Sequence, residues 1–128
     1  SRSSNVKIFK EFRFEAAHNL PNVPPGHKCA RLHGLSFRIK VTVEGEVDEK
    51  SGWVMDFSDI KTAVRPILRQ LDHYYLNEIR GLENPTSENI ARWIWDKLLT
   101  SLPQLYEIEI HETCTSGCVY NGNAIIDP

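Results

Sequence analysis

The sequence has no long hydrophobic run and no short apolar segment of the signal-peptide type. We therefore expect a chain that neither spans nor enters a membrane. It also lacks an excess of positive charge, because 15 Lys and Arg residues stand against 17 Asp and Glu residues, for a net charge of −2. Without a basic field, we expect no nucleic-acid partner.

Cysteine is scarce as well. The chain has three cysteines, an odd number, and two of them, Cys114 and Cys118, lie close together in sequence. Secreted disulfide scaffolds usually carry more cysteines, in even number. This pattern favours a reducing cytosol, so a cytoplasmic location is expected.

The length of 128 residues suits a single domain, residues 1–128, with one sizeable core. There is no internal repeat and no composition shift that would mark a domain boundary. The Ser-rich start has no assigned role, and residues 1–6 are expected to be flexible.

Two segments alternate between apolar and polar residues, which predicts strands with one buried face. The first runs from Lys7 to Ala17, and its apolar positions continue in register onto His18. The second runs from Phe37 to Glu46, and counting back by twos from Phe37 reaches Leu35 and His33. Each strand is thus expected to carry an inward-facing histidine at one end.

A histidine at the edge of a core is commonly a hydrogen-bonded packing residue. Two histidines on matching faces of separate strands, with Cys29 four residues before one of them, instead favour a metal site. Cys29 belongs to a long loop, Asn19 to Arg31, whose prolines and glycine exclude regular structure. A loop of that length points to function rather than mere connection.

The remaining pattern predicts an α+β fold, a sheet with both helices on one face. A turn after Glu46 leads to a short third strand at Trp53–Met55, so the first strands form a β-meander. Helices are expected over Phe57–Leu71, capped by Asp56, and after the cap Thr86, ending before Pro103. Strands at Leu105–Thr113 and Val119–Tyr120 follow, then an apolar tail at 124–126.

Glu112 is the one acidic residue that falls on the apolar side of its predicted strand. A buried carboxylate is costly unless a partner meets it. One reading is a structural salt bridge to Arg or Lys. The other is an anchor for a ligand, because a carboxylate accepts two parallel hydrogen bonds from a guanidine-like ring edge.

Several short motifs resemble the 6-pyruvoyl-tetrahydropterin synthase superfamily, and within it the 6-carboxy-5,6,7,8-tetrahydropterin synthases of the queuosine pathway. They are Phe14–His18, Cys29–Gly34, Leu71–Asn77, Asn84–Asn89 and Glu112–Cys118. The resemblance implies a tunnelling fold, in which each subunit has a four-stranded antiparallel sheet with two helices on one face, and subunits complete a β-barrel as a trimer or a dimer of trimers. It also implies an active site between subunits.

The resemblance implies an activity too: conversion of 7,8-dihydroneopterin triphosphate to 6-carboxytetrahydropterin, with loss of acetaldehyde and triphosphate. It implies zinc held by His18, His33 and the residue at position 35. Cys29 would be the base, Asp72 and His73 a proton relay, and Glu112 and Thr113 would bind the pterin, with Glu112 sometimes counted in the relay. Without the resemblance, Asp72–His73 reads as a helix-end capping pair and Cys29 as a structural cysteine.

The chain departs from the family pattern at Leu35, where the third histidine is expected. His27 and Cys29 are the nearby groups that could replace it. Leu35 is an introduced substitution, or it marks a paralogue with a weaker or different metal, or catalysis is lost and pterin binding kept. The alternative enzyme is a 6-pyruvoyl-tetrahydropterin synthase, which eliminates triphosphate without releasing acetaldehyde.

Overall fold

Four strands and two helices make up the fold in the computed structural model, which describes residues 5–112 and 115–122. The strands are β1 (Asn5–His18), β2 (His33–Glu46), β3 (Leu105–His111) and β4 (Gly117–Tyr120). The helices are α1 (Phe57–Leu71) and α2 (Ser87–Leu98), and short 3₁₀ turns lie at Lys28–Ala30 and Leu76–Glu78.

The strands form one antiparallel sheet in the order β1-β2-β3-β4. The β1–β2 ladder is unbroken from Asn5 opposite Glu46 to His18 opposite His33. Both strands are therefore longer than the alternation alone suggested, and β2 does reach back to His33. The two histidines form the last pair of the ladder, at the end of the sheet.

The hydrophobic core lies between the inward face of the sheet and the two helices. Amphipathic spacing places one stripe of each helix against the sheet, and the buried residues are Ile60, Val64, Ile67 and Leu71 of α1 and Ile90, Ala91, Ile94, Trp95 and Leu98 of α2. Asp56 and Thr86 cap the helices by accepting the amide N–H groups of Ser58 and Asn89. The predicted α+β architecture is confirmed.

The predicted third strand at Trp53–Met55 is wrong. The segment consists of bends, and the turn before it is held by Asp48, whose carboxylate accepts the amide N–H groups of Lys50 and Ser51. β2 already pairs with β1 on one side and β3 on the other, so no free edge remains beside it. The strand that completes the sheet comes instead from after the helices.

Smaller differences concern the ends of segments. The long loop contains the 3₁₀ turn Lys28–Ala30, where no regular structure was expected. β3 ends at His111 rather than Thr113, and Thr113, Cys114, residues 1–4 and the tail at 124–126 lie outside the described residues. Across the described part of the chain, neither helix has the length and apolar character needed to cross a membrane.

Candidate active site

The two predicted inward histidines meet at the end of the β1–β2 ladder. The Nε2 atoms of His18 and His33 are 3.1 Å apart, and the rings pack edge to face with centroids 4.6 Å apart. His18 also packs edge to face against Phe37 and is 1% exposed. Pairing of the strands in register is what brings the imidazoles together.

Backbone carbonyls fix the proton positions on both rings. The Nδ1–H of His18 donates to the carbonyl oxygen of Pro85 at 2.9 Å, and that of His33 donates to the carbonyl oxygen of Arg31 at 2.8 Å. A carbonyl oxygen only accepts, so each neutral ring carries its proton on Nδ1. The Nε2 lone pairs then face each other, an arrangement that a metal cation bound to both would stabilise.

Burial keeps His18 in the neutral form. Loss of solvent lowers the pKa of His18, and the neighbouring His33 lowers it further, whereas the Pro85 carbonyl and Glu112 act in the opposite direction. A neutral ring with its lone pair on Nε2 is the form that binds a metal, and a carbonyl partner on Nδ1 is the usual support for such a ligand.

Position 35 lies on the same face of β2 as His33 but offers no lone pair. Leu35 stands opposite Ala16 in the ladder and is half-buried. His27 is turned to another use, since its Nδ1 accepts the amide N–H of Cys29 at 3.0 Å. Over residues 5–112 and 115–122, no group of three His, Cys, Asp or Glu side chains is arranged to hold a metal. Two side chains, His18 and His33, bring ring nitrogens together here.

Cys29 lies on the 3₁₀ turn of the long loop, just before the strand that carries His33. Its thiol is free and half-buried, and its carbonyl oxygen accepts the amide N–H of Leu20 at 2.7 Å. The loop thus folds back onto the residues that follow His18. Within the described residues, no hydrogen bond connects the thiol to Asp72 or His73.

Asp72 and His73 form a hydrogen-bonded pair at the outer edge of β1. Asp72 Oδ2 is 3.1 Å from His73 Nδ1, and Oδ1 accepts the amide N–H of Glu15 at 2.9 Å. The Glu15 N–H, with His73 beside it, lowers the pKa of Asp72. His73 has a φ of 65°, an uncommon backbone conformation for a residue with a side chain, and its amide donates to the Glu15 carbonyl. The side chain of His73 is 78% exposed, so the pair faces outward from this chain.

Two cavities border these groups. An open groove of about 450 Å³ has Leu35, Ser36, His73 and Tyr74 among its lining residues. A second cavity of about 220 Å³ lies between the start of α2 and the end of β3, and Glu112 lines it. Glu112 is half-buried there, and its charge reaches His18. In the described residues it makes no salt bridge to Arg or Lys within 4.0 Å.

Sequence reasoning missed the groups that hold this site in place. The carbonyls of Pro85 and Arg31 orient the histidines, and a network of side-chain amides connects the loops. Every residue has a backbone carbonyl, so the sequence does not show which of them will accept a histidine N–H. Asn77 was visible, because it belongs to one of the recognised motifs, but its partner Asn19 carried no signal.

The match to known proteins agrees with the fold and with these motifs. The family model described as 6-pyruvoyl tetrahydropterin synthase matches residues 7–123. The chain belongs to this family. The resemblance stated from the motifs is confirmed, and so is the tunnelling fold of the single chain.

Relatives of the 6-pyruvoyl tetrahydropterin synthase family resemble the chain over most of its length. A 6-carboxy-5,6,7,8-tetrahydropterin synthase of Synechocystis sp. is 50% identical over 119 residues, 88% of this chain and 91% of that protein. A dihydroneopterin monophosphate aldolase of Pyrococcus furiosus is 40% identical, covering 77% of this chain and 79% of that protein. The structure of Caenorhabditis elegans 6-pyruvoyl tetrahydropterin synthase superposes with a TM-score of 0.87 at 29% identity, covering 95% and 99% of the two chains.

The lowered pKa of His18 predicts a specific loss of stability in acid. As the pH falls below about 6.5, the unfolded chain takes up a proton at this residue before the folded chain does. The free energy of unfolding, measured by urea denaturation with EDTA present, should therefore fall with pH below that point. It should fall less steeply in His18→Asn.

The matched control is His27→Asn, because His27 is exposed and asparagine can still accept the Cys29 amide. This variant should keep the pH dependence of the parent protein. An equal pH dependence in the parent and in His18→Asn would contradict the assignment to His18.

Proposed function

We propose that this protein is a metal-assisted lyase that converts 7,8-dihydroneopterin triphosphate to 6-carboxy-5,6,7,8-tetrahydropterin, releasing acetaldehyde and triphosphate, in queuosine biosynthesis. The observation that carries the proposal is the pair of converging Nε2 lone pairs on His18 and His33. The 50% identity to a protein of that name supports the choice of reaction within the family.

His18 and His33 would hold the metal, for which zinc is the proposed identity. Two nitrogen ligands of a tetrahedral zinc lie about 3.3 Å apart, close to the 3.1 Å between these Nε2 atoms. When bound, the metal supplies Lewis acidity, which makes protons near a coordinated oxygen easier to remove. With Leu35 in place of a third ligand, the affinity is expected to be reduced.

Cys29 is proposed as the base that takes a proton from the substrate side chain. It needs the thiolate form for this role, and a bound cation nearby favours that form. The short turn that carries Cys29 starts directly after the His27 cap and leads into His33, so the thiol and the metal ligand are four residues apart on one folded segment. The thiol must stay reduced, which is consistent with a cytoplasmic location.

Asp72 and His73 are proposed to relay protons. The carboxylate fixes the proton of His73 on Nδ1 and leaves Nε2 free to exchange a proton with a neighbour. The backbone N–H of Glu15 holds the other carboxylate oxygen, so Asp72 is oriented by two bonds rather than one. This pair has the geometry of an orienting acid and a general base.

Glu112 is proposed to bind the pterin ring through its guanidine-like edge, with Thr113 beside it. No salt bridge to Arg or Lys within 4.0 Å is present among the described residues, and a carboxylate can accept two parallel hydrogen bonds from such a ring edge. Thr86 and Ser87 at the start of α2 line the same cavity and add hydroxyl groups to it.

A homo-oligomer, as a trimer or a dimer of trimers, is proposed to complete the barrel. In the described residues β1 and β4 are the outer strands of the sheet, and free strand edges favour pairing with another copy. Asp72 and His73 lie next to the β1 edge and face outward. A neighbouring subunit would therefore meet the relay pair, which supports an active site shared between chains.

The products of the reaction test the proposal. Incubation of the zinc-loaded protein with 7,8-dihydroneopterin triphosphate should release acetaldehyde and triphosphate in equal amounts. Cys29→Ala should lower kcat by about 100-fold to 10,000-fold, the usual contribution of a positioned acid or base.

Triphosphate without acetaldehyde would instead identify a 6-pyruvoyl-tetrahydropterin synthase. Binding of the pterin without either product would identify a catalytically silent paralogue, the alternative that Leu35 raises. Either result would contradict the lyase proposal.

The substitution Leu35→His tests the proposed metal site. Position 35 lies on the same face as His33, so an imidazole there should add a third ligand and raise zinc affinity by about 10-fold to 100-fold or more. Isothermal titration with zinc measures the change directly, without reference to turnover.

Ser36→His is the matched control, because residue 36 points to the opposite face of β2, where Ser36 donates to Glu15. It adds the same side chain one residue further on and should leave zinc affinity unchanged. Equal effects of the two substitutions would show that position 35 does not face the metal.

A further inference from the structure

Asn19, the residue directly after His18, is held on its backbone by one side chain. Asn77 Oδ1 accepts the Asn19 N–H at 3.0 Å, and Asn77 Nδ2 donates to the Asn19 carbonyl oxygen at 2.9 Å. This is a two-point contact of the kind that one strand makes with another, supplied here by an amide side chain. It fixes the chain where β1 ends and the long loop begins.

The side chain of Asn19 extends the network to the Cys29 turn. Its Nδ2 donates to the carbonyl oxygen of Ala30 at 3.3 Å, and its Oδ1 accepts the hydroxyl of Tyr75 at 2.8 Å. The amide N–H of Leu20 adds a bond to the Cys29 carbonyl at 2.7 Å. Residues on both sides of Asn19 are thereby connected to the turn.

The same network reaches the segment that orients His18. Asn77 Nδ2 also donates to the carbonyl oxygen of Glu83 at 3.3 Å. Two residues further on, the Pro85 carbonyl accepts the Nδ1–H of His18. Asn77 therefore contacts two chain segments, one that carries His18 and one that fixes its tautomer.

We propose that Asn77 is a positioning residue, which sets the Cys29 turn and His18 in place relative to the segment that follows Asp72 and His73. The proposal rests on the proposed roles of those four residues. An amide is required because the site needs one acceptor and two donations from a single short side chain. Aspartate could still accept the Asn19 N–H, but it would place a carboxylate against the carbonyls of Asn19 and Glu83.

The test compares Asn77→Asp and Asn77→Ser with the parent protein as zinc-loaded full chains. The first readout is the rate at which iodoacetamide alkylates Cys29, resolved from Cys114 and Cys118 by peptide mass spectrometry. Release of the turn should raise this rate about threefold or more. The second is turnover, where kcat should fall by about 10-fold to 100-fold with KM within about twofold, as expected for lost alignment.

Ile60→Val is the control for a merely structural effect. Ile60 is fully buried on α1 and makes none of the network's hydrogen bonds, so this variant should lower the melting temperature without changing Cys29 alkylation. If either Asn77 variant fails to fold, Tyr75→Phe replaces it in the test. This variant removes only the hydroxyl bond to Asn19, and it should also raise the rate of Cys29 alkylation.

The proposal is overturned if the Asn77 variants, or Tyr75→Phe in their place, alkylate at the rate of Ile60→Val. It is also overturned if kcat is unchanged in an active protein. If the parent protein shows no lyase turnover, the Cys29 alkylation rates of the parent and the variants still test whether Asn77 positions the turn. Failure of the proposed reaction and failure of this inference are thus separate outcomes.

Discussion

The site depends on one contact, the approach of His18 Nε2 to His33 Nε2 within 3.1 Å at the last pair of the β1–β2 ladder. Both rings donate through Nδ1 to backbone carbonyls, so neither can turn its N–H toward the other without losing a bond. Two lone pairs are held face to face on the edge of the core. Such an arrangement is costly for a neutral pair and favourable around a cation.

The strand register makes this contact possible, and the long ladder protects it. A slip of one residue would turn His33 and Phe37 to the opposite face and leave His18 alone in the core. The apolar residues that alternate along both strands, buried under the two helices, oppose any such slip. The same hydrophobic pattern that stabilises the fold therefore also sets the geometry of the imidazoles.

Alternation was enough to predict these histidines, because side-chain direction in a strand follows from sequence spacing alone. It failed at Trp53–Met55, where a short apolar run looked like a strand although both edges of β2 were already paired. Whether a strand edge is already paired depends on the whole sheet and cannot be predicted from a short segment.

The carbonyls of Pro85 and Arg31 that orient the histidines, and the hydrogen bonds between Asn19 and Asn77, also form only when distant segments meet. The proposed roles of Cys29, Asp72, His73 and Glu112 came from the family motifs, whereas the structure contributes their surroundings.

Leu35 stands where the family resemblance leads us to expect a third histidine, beside the two histidines whose Nε2 atoms converge. Other proposed residues make specific contacts: Asp72 bonds to His73, the Cys29 amide donates to His27, and the Glu112 amide donates to the Ser116 carbonyl. Among the proposed site residues, position 35 is the one that departs from the family motifs.

The most direct test of the central contact is a long-range ¹H–¹⁵N NMR correlation spectrum of the histidine rings, recorded with and without zinc. His18→Asn and His33→Asn variants assign the signals. Our account predicts that both rings carry their proton on Nδ1 at neutral pH, and that zinc shifts the Nε2 resonances of both together. A proton on Nε2 of either ring, or Nε2 signals that do not respond to zinc, would contradict it.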